Sequence, residues 1–375
     1  MGNFITDIHV KELRHLHNID INLSKDSRCH LLITGKNGSG KTSLLDAIAK
    51  YLETILNIDY NQSIEGALQL EFVDENAFKY SVKSGDIIVA YYKDYRNPHF
   101  IEPKSPELPD YSISTQLMND TKENQFLKLL VHYKVQGAME GFEGNGAQAG
   151  AIQKWFDNFI KILRKLFHDD KLELIFNPRD YTFTLRDKQK KEFKFTQLPA
   201  GYRAALDIIS DLILKMQSKG LVNLSLNQEG IVLIDEVETH LHLSMQKEIM
   251  PILTTVFPKI QFIVSTHSPF VLSSIENAIA VDLERPKNII SDLTAYSYES
   301  LAEGYFGIVS SSSDIQDRLK ELEKYVKSNT LKPREEKRRD RLIADFERIP
   351  EALAPSVVGR FKEIMIMYNS SKVKA

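Results

Sequence analysis

The chain has 375 residues, 42% hydrophobic and 26% charged; this composition suits an ordinary globular protein with a substantial core and excludes disorder as the main state. Its 48 Lys+Arg against 51 Asp+Glu give a net charge of −3, so the surface as a whole cannot act as a nonspecific polyanion sponge, and any nucleic-acid site must be a local patch. Cys29 is the only cysteine, which excludes an intramolecular disulfide, a Cys-rich zinc module and an iron–sulfur cluster, and fits a reducing cytosol.

No uninterrupted apolar stretch approaches the roughly 18–20 residues of a membrane span, and the first residues lack the basic and apolar regions of a secretion signal. A cytoplasmic protein with no membrane partner is therefore expected. Met1 to Thr6 match the loose myristoylation pattern, but Phe4, Ile5, Ile8 and Val10 read better as an opening β-strand.

Ile19, Ile21 and Leu23 alternate as a second strand, and the apolar run His30–Thr34 makes a third. A glycine-rich turn follows, then a helix with Leu44, Leu45, Ile48, Ala49, Leu52 and Ile55 at helical spacing. Leu68, Leu70 and Phe72 alternate, as do Phe78, Tyr80 and Val82 beyond the turn residues Asp74 to Ala77, which predicts a hairpin. Ile87 to Ala90 add a strand. The proline-rich stretch 97–109 opens an inserted lobe, with helices predicted over 124–135 and 152–167 and a mobile glycine-rich loop from Gly141 to Gly146 between them. Leu172/Leu174/Phe176, Tyr181/Phe183/Leu185 and Phe193/Phe195 then suggest a small antiparallel sheet.

The runs Ile231 to Ile234 and Ile260 to Val264 look like buried parallel strands around a helix over 243–257, hence α/β architecture. After Ser311 the chain turns helical and charged. Between Arg318 and Arg348 there are eleven Lys/Arg against seven Asp/Glu; the cluster from Lys332 to Arg341 could grip nucleic acid, but the interleaved Glu335, Glu336 and Asp340 favour a solvated helix face. No internal repeat is evident.

Gly35-Lys36-Asn37-Gly38-Ser39-Gly40-Lys41-Thr42 fits the phosphate-binding loop pattern and lies between a predicted strand and a predicted helix, the context the pattern requires. Its glycines let the backbone curl so that N–H groups and the helix N-terminus face phosphates. Lys41 would hold the β/γ-phosphates and Thr42 would ligate Mg2+. At the end of an apolar strand, Asp235 is placed to organise the metal shell and Glu236 to polarise an attacking water; an acidic pair standing alone can be merely a helix N-terminus, a reading that the phosphate loop upstream disfavours. Leu198-Pro199-Ala200-Gly201-Tyr202-Arg203 precedes an amphipathic helix and takes its meaning from lying between these two motifs. Ser265-Thr266-His267-Ser268-Pro269 puts a histidine at the carboxyl end of a core strand, where ligands bind in open α/β sheets.

In this order the motifs resemble the ABC-type ATPase heads of the SMC/RecF group, and most of all the compact prokaryotic ATPases related to the OLD (overcoming lysogenization defect) family. The carriers are Leu13-Arg14-His15, GKNGSGKT, LPAGYR, IVLIDEVETHLH and STHSPFVL, and the resemblance spans roughly residues 1–285. It implies an α/β P-loop head with an antiparallel β subdomain, an inserted helical lobe and a C-terminal helical extension. The domain plan is 1–96, 97–196, 197–285 and 286–375. It further implies nucleotide contact by Asn37, Gly38, Ser39, Gly40, Lys41 and Thr42, metal organisation by Asp235, general-base work by Glu236 and γ-phosphate sensing by His267. Ala200, Gly201 and Arg203 would meet ATP bound by a second subunit, and Arg14 stands where such heads keep a basic residue near the nucleotide. The serine that often opens the signature is replaced by the run from Gln197 to Ala200. The glutamine expected after the Ile87–Tyr92 strand is missing, with Lys93 or Arg96 as substitutes. Glu238, His240, His242 and His267 could form a transition-metal cluster, but their spacing is more simply a dimer-contact turn.

The resemblance therefore implies a Mg2+-dependent ATPase that closes as a homodimer around ATP. OLD relatives often continue into a TOPRIM nuclease, whose D-x-D pair does not occur after His267. The expectation is a sensor or motor subunit with a separately encoded effector, such as a nuclease, in a bacterial defence system. The alternatives are a stand-alone RecF-like repair ATPase that binds DNA, and a scaffold using ATP only to hold a dimer, with which the intact acidic pair conflicts.

Overall fold

The computed structural model describes residues 3–56, 67–94, 99–109, 123–217, 226–285, 289–291, 293–298, 300–301, 313–328, 331–348 and 355–372. The chain divides into two compact units, Met1–Tyr296 and Ser297–Ala375.

The first unit opens with β1 (Ile5–Leu13) and β2 (Leu16–Asn22), followed by β3 (His30–Thr34), α1 (Lys41–Leu56) and β4 (Leu68–Phe72). β1, β2 and β4 form an antiparallel sheet in the order β2-β1-β4. Its inner face, with Ile5, Ile8, Val10, Ile19, Ile21, Leu68 and Leu70, packs in one core with Leu44, Leu45 and Ile48 of α1.

The expected hairpin after β4 is instead a helix, α2 (Glu75–Lys83), capped by Asp74, whose side chain accepts from the Ala77 N–H at 2.9 Å. Phe78 and Val82 are buried, whereas Tyr80 between them is 75% exposed. Positions four apart share a face in both a strand and a helix, so Phe78 and Val82 fit either period; the exposed Tyr80 and the aspartate cap decide for the helix.

β5 (Ile87–Tyr92) enters the central sheet, and the short parallel pair β6 (His99–Phe100) and β7 (Glu123–Asn124) leads into the helical lobe. That lobe is an antiparallel pair, α3 (Phe126–Phe142) and α4 (Gly146–Phe167). Tyr133 meets Trp155 edge-on at 5.3 Å between ring centroids, and Phe126 meets Phe159 at 5.2 Å. Both helices extend beyond the predicted ends, leaving only residues 143–145 between them rather than a six-residue glycine loop. β8 (Glu173–Asn177), β9 (Thr182–Arg186) and β10 (Glu192–Lys194) form the expected small antiparallel sheet.

A 3-10 turn leads to α5 (Ala200–Met216); β11 (Glu229–Ile234), α6 (Leu243–Val256), β12 (Ile260–Ser265), α7 (Pro269–Leu272), β13 (Ala278–Asp282) and β14 (Ile289–Ser291) follow. The central sheet has the order β14-β13-β3-β12-β11-β5, parallel throughout except for the edge strand β14. Every residue of β3 and β12 is buried, as a sheet covered on both faces requires. Because β3, β12 and β11 are parallel neighbours, their carboxyl ends open on one edge. Buried Gln261 joins this sheet to the antiparallel one: its amide accepts from the Ile5 N–H at 2.8 Å and donates to the Ile5 and Cys29 carbonyls, both at 2.9 Å. The architecture is α/β, a mostly parallel sheet joined to an antiparallel one, with the glycine-rich loop running from β3 into α1.

The second unit contains α8 (Ser313–Lys327), α9 (Pro333–Glu347) and α10 (Pro355–Lys372), with Leu319, Leu322, Leu342, Phe346, Phe361 and Ile364 in a core of its own. Among the described residues, no helix is long and apolar enough to cross a membrane.

Candidate nucleotide site

The loop after β3 is shaped by backbone conformations that side chains rarely adopt: Gly35 has φ +138°, Gly38 +83° and Gly40 +98°. A Cβ on Gly35 would stand 2.6 Å from Ser39 Oγ. One on Gly40 would stand 3.0 Å from Leu16 and 3.3 Å from His15, the residues that follow Arg14 in the β1–β2 turn. Arg14 itself, at φ +56°, is the first residue after β1, directly before His15.

Lys41 begins α1 and is buried; its Nζ reaches back under the loop to the carbonyls of Gly35 at 3.0 Å and Lys36 at 3.2 Å. Burial lowers the ammonium pKa, while the charges of Glu236, Asp235, Glu238 and Glu284 oppose that fall. Thr42 lies exposed on the first turn of the same helix.

β11 delivers the acidic pair. Asp235 is buried, its N–H donating to the Tyr92 carbonyl of β5 at 2.7 Å. Ser265, at the end of the neighbouring β12, donates its hydroxyl to Asp235 Oδ1 and accepts from the Glu236 N–H at 2.8 Å. One buried oxygen thus fixes both the carboxylate of Asp235 and the backbone of Glu236. Glu236 needs such a restraint because it adopts the left-handed region, φ +44°, which turns its side chain out of the strand direction.

His267 Nε2 lies 3.8 Å from Glu236 Oε1 and has no hydrogen-bond partner. Burial and the nearby charge of Lys41 push the imidazole pKa down against the pull of Asp235, which favours the neutral ring. Its backbone is held by Glu238, which accepts from the His267 N–H and, at 2.7 Å, from the Thr266 hydroxyl. Burial raises the Glu238 carboxyl pKa against those hydrogen bonds. Glu238 therefore braces the histidine loop, and among the described residues no group of three or more His, Cys, Asp or Glu side chains is placed to hold a metal ion. Thr42 and Asp235 offer one hydroxyl and one carboxylate at the loop, a hard oxygen set that suits Mg2+ completed by phosphates and waters.

Lys41, Asp235, Glu236 and His267 are thus brought together. The signature residues are placed differently. Gly201 lies against the turn after the acidic pair, where a Cβ would meet the His240 carbonyl at 2.9 Å. Arg203 donates to the Leu198 carbonyl at 2.8 Å and leaves its Nε without a partner, and Tyr202 stacks on Phe167 at 4.4 Å. Among the described residues, no hydrogen bond joins Ala200, Gly201 or Arg203 to the phosphate loop of this chain. Lys93 Nζ lies over the Tyr91 ring, 5.9 Å from its centroid, while Arg96 lies outside the described residues. Where the glutamine was expected, β5 is tied to the signature helix by Tyr92, whose hydroxyl donates to Asp211 at 2.6 Å, with Lys215 at 3.5 Å from the same carboxylate.

Ser265, Glu238 and the Tyr92–Asp211 pair carry roles that motif reading does not assign. Register could have found the first: Ile234 pairs with Val264, so the next residues, Asp235 and Ser265, stand side by side.

Residues 156–273 match the family model described as "AAA domain, putative AbiEii toxin, Type IV TA system", and residues 8–67 match "P-loop containing region of AAA domain". The chain is similar to the Septu protein PtuA of Bacillus mycoides (strain KBAB4), 26% identical over 312 residues that cover 75% of this chain and 40% of that protein. It is also similar to the Retron Ec83 probable ATPase of Escherichia coli, 36% identical over 125 residues, 31% of this chain and 23% of that one. The matches therefore span less than half the length of these relatives. Among solved structures, the SMC head bound to the C-winged helix domain of ScpA aligns with a TM-score of 0.40 at 16% identity, covering 74% of this chain and 94% of that one. The two matched stretches, both described as AAA-domain regions, take in the phosphate loop, the acidic pair and His267.

Proposed function

We propose that this chain hydrolyses ATP as one half of an ATP-sandwiched dimer and that its closure drives a separately encoded effector, in keeping with a nuclease, in a prokaryotic defence system. The observation that carries the catalytic part is the Ser265 hydroxyl, which holds the Asp235 carboxylate and the Glu236 backbone in one fixed arrangement beside His267.

The curled loop from Asn37 to Gly40 turns its N–H groups toward the phosphates, and Lys41 adds positive charge there. Thr42 and Asp235 would hold Mg2+, which when bound neutralises charge developing on the phosphates. Glu236 orients a water and accepts its proton. His267 donates one N–H to the γ-phosphate as the water attacks. Arg14, on the β1–β2 turn, would add a positive charge near the nucleotide. Ala200, Gly201 and Arg203, which among the described residues make no hydrogen bond to this chain's own loop, would meet the nucleotide on the partner protomer, so that association and catalysis coincide. In this reading residues 1–96 and 197–296 make the head, since β14 pairs into its sheet beyond the expected boundary at 285, 97–196 the inserted lobe, and 297–375 an extension that with the lobe offers partner surfaces. The defence role rests on the Septu and retron relatives, and the effector on that role.

One variant tests both parts. Glu236→Gln should retain ATP binding, slow phosphate release by about 10²–10⁴-fold, and prolong an ATP-dependent dimer seen by light scattering. Isolated from its native host with Mg2+-ATP, it should retain a protein partner that wild type releases. Unchanged hydrolysis, or no prolonged dimer, would overturn the mechanism; a prolonged dimer with no copurifying protein would overturn the effector.

A further inference from the structure

The charged segment of the second unit separates into distinct faces once folded. α9 turns Leu342 and Phe346 into the core shared with Leu322 and Phe361. Several of its charges are already engaged. Glu335 caps the helix by accepting from the Lys332 N–H at 2.8 Å, and Asp345 pairs with Arg318 of α8. Asp340 holds Arg339 at 2.8 Å, and Arg338 reaches Glu321 of α8 at 3.0 Å.

Arg334, Lys337, Arg341 and Arg348 remain. All four are exposed, and none has an ion-pair or hydrogen-bond partner among the described residues. Their spacing of three, four and seven places them within an arc of about 60°, along roughly 21 Å of helix. Glu336, Asp340 and Glu347 fall about 110° further round. The interleaved acids that made this segment read as a solvated face are therefore either engaged or turned away.

We propose that this stripe binds the phosphate backbone of duplex nucleic acid without reading its sequence. Three of the four cations are arginines, whose planar forks match phosphate oxygens in pairs. A protein partner would need an apolar centre to desolvate, and the residue flanking the arc is Ala344, with no larger apolar side chain inside it. A phosphate backbone needs none, because counterion release alone supplies the affinity. In a chain of net charge −3 the attraction is local to this face. The inference goes beyond the ATPase reading and does not depend on it.

The test uses the full chain and fluorescent DNA and RNA duplexes of about 20 base pairs, with anisotropy followed from about 50 to 200 mM salt. The fourfold variant Arg334→Gln, Lys337→Gln, Arg341→Gln, Arg348→Gln should weaken binding at least about tenfold and make the log–log salt slope shallower by about 3–4, since each phosphate contact contributes about 0.9. The double variant Lys320→Gln, Lys327→Gln removes two cations of α8 that face Asp317 and Glu323 and should leave the slope unchanged. Circular dichroism checks that the variants keep their helices, and the two duplexes show which backbone is preferred. Equal binding by the fourfold variant would overturn the proposal. So would an equal loss in the α8 control, or retention of a poly-glutamate peptide by a chain that ignores both duplexes.

Discussion

At the scale of single residues, the acidic pair alone does not make a hydrolytic site. Glu236 occupies a backbone region that costs a non-glycine residue of the order of 1–3 kcal/mol, and the Ser265 hydroxyl is what its N–H meets there. Ser265→Ala would remove the acceptor of that N–H and the hydroxyl donated to Asp235, a loss of about 1.5–3 kcal/mol for a hydrogen bond to a charged group. Phosphate-release kinetics should show kcat falling about 10–100-fold with KM for ATP nearly unchanged, because the loop and Lys41 do the binding. Ser265→Thr, which restores a hydroxyl, should recover part of kcat. A rise in KM with kcat intact would contradict this positioning role. The serine is visible in the sequence, but its task is not: strand register alone places it beside Asp235.

At the scale of elements, the signature helix is set by how closely it approaches the turn after β11. Gly201 has ordinary helical space for a side chain in its own backbone conformation, yet a Cβ would collide with the His240 carbonyl at 2.9 Å, a backbone atom that cannot rotate away. Gly150 in α4 has nothing within 4 Å. Gly201→Ala should therefore destabilise the chain by about 1–3 kcal/mol through overpacking and weaken ATP-dependent dimerisation, while Gly150→Ala should stabilise it by about 0.5–1 kcal/mol through helix propensity. Urea midpoints for both variants read the opposite signs, and a matching effect at the two glycines would refute the close-approach argument. The buried strands were legible because both faces are covered, leaving apolar runs in β3 and β11 and, past Gln261, in β12. The phosphate loop was legible because its chemistry is local. α2 was not, since Phe78 and Val82 satisfy either period, and the first turn of α4 was hidden by glycines that suggest a loop. The Tyr92–Asp211 tie joins residues far apart in sequence, which no local pattern reports.

At the scale of the whole molecule, the first unit is held by polar contacts in its core as well as by apolar burial. His30 opens β3, and its Nδ1 accepts from the Phe262 N–H of β12 at 3.0 Å, which requires a neutral ring. Burial, helped by the charge of Arg28, pushes its pKa down to about 4. The unfolded chain, with an ordinary histidine pKa near 6.5, thus binds a proton between pH 6.5 and 4 that the folded chain refuses. Stability from this group is fully present above pH 6.5 and is lost as pH falls toward 4, by about 2 kcal/mol on reaching pH 5. His9 acts in the opposite direction, because its hydrogen bond to Asp20 raises its pKa, so its contribution is present below pH 6.5 and lost above. The two are separated by comparing wild type with His30→Asn, which cannot titrate at that position. Urea unfolding at pH 7.5 and pH 5 should give wild type an acid loss about 2 kcal/mol larger than the variant's. An equal loss in both would mean that the acid sensitivity of this sheet arises elsewhere than at the β3–β12 contact.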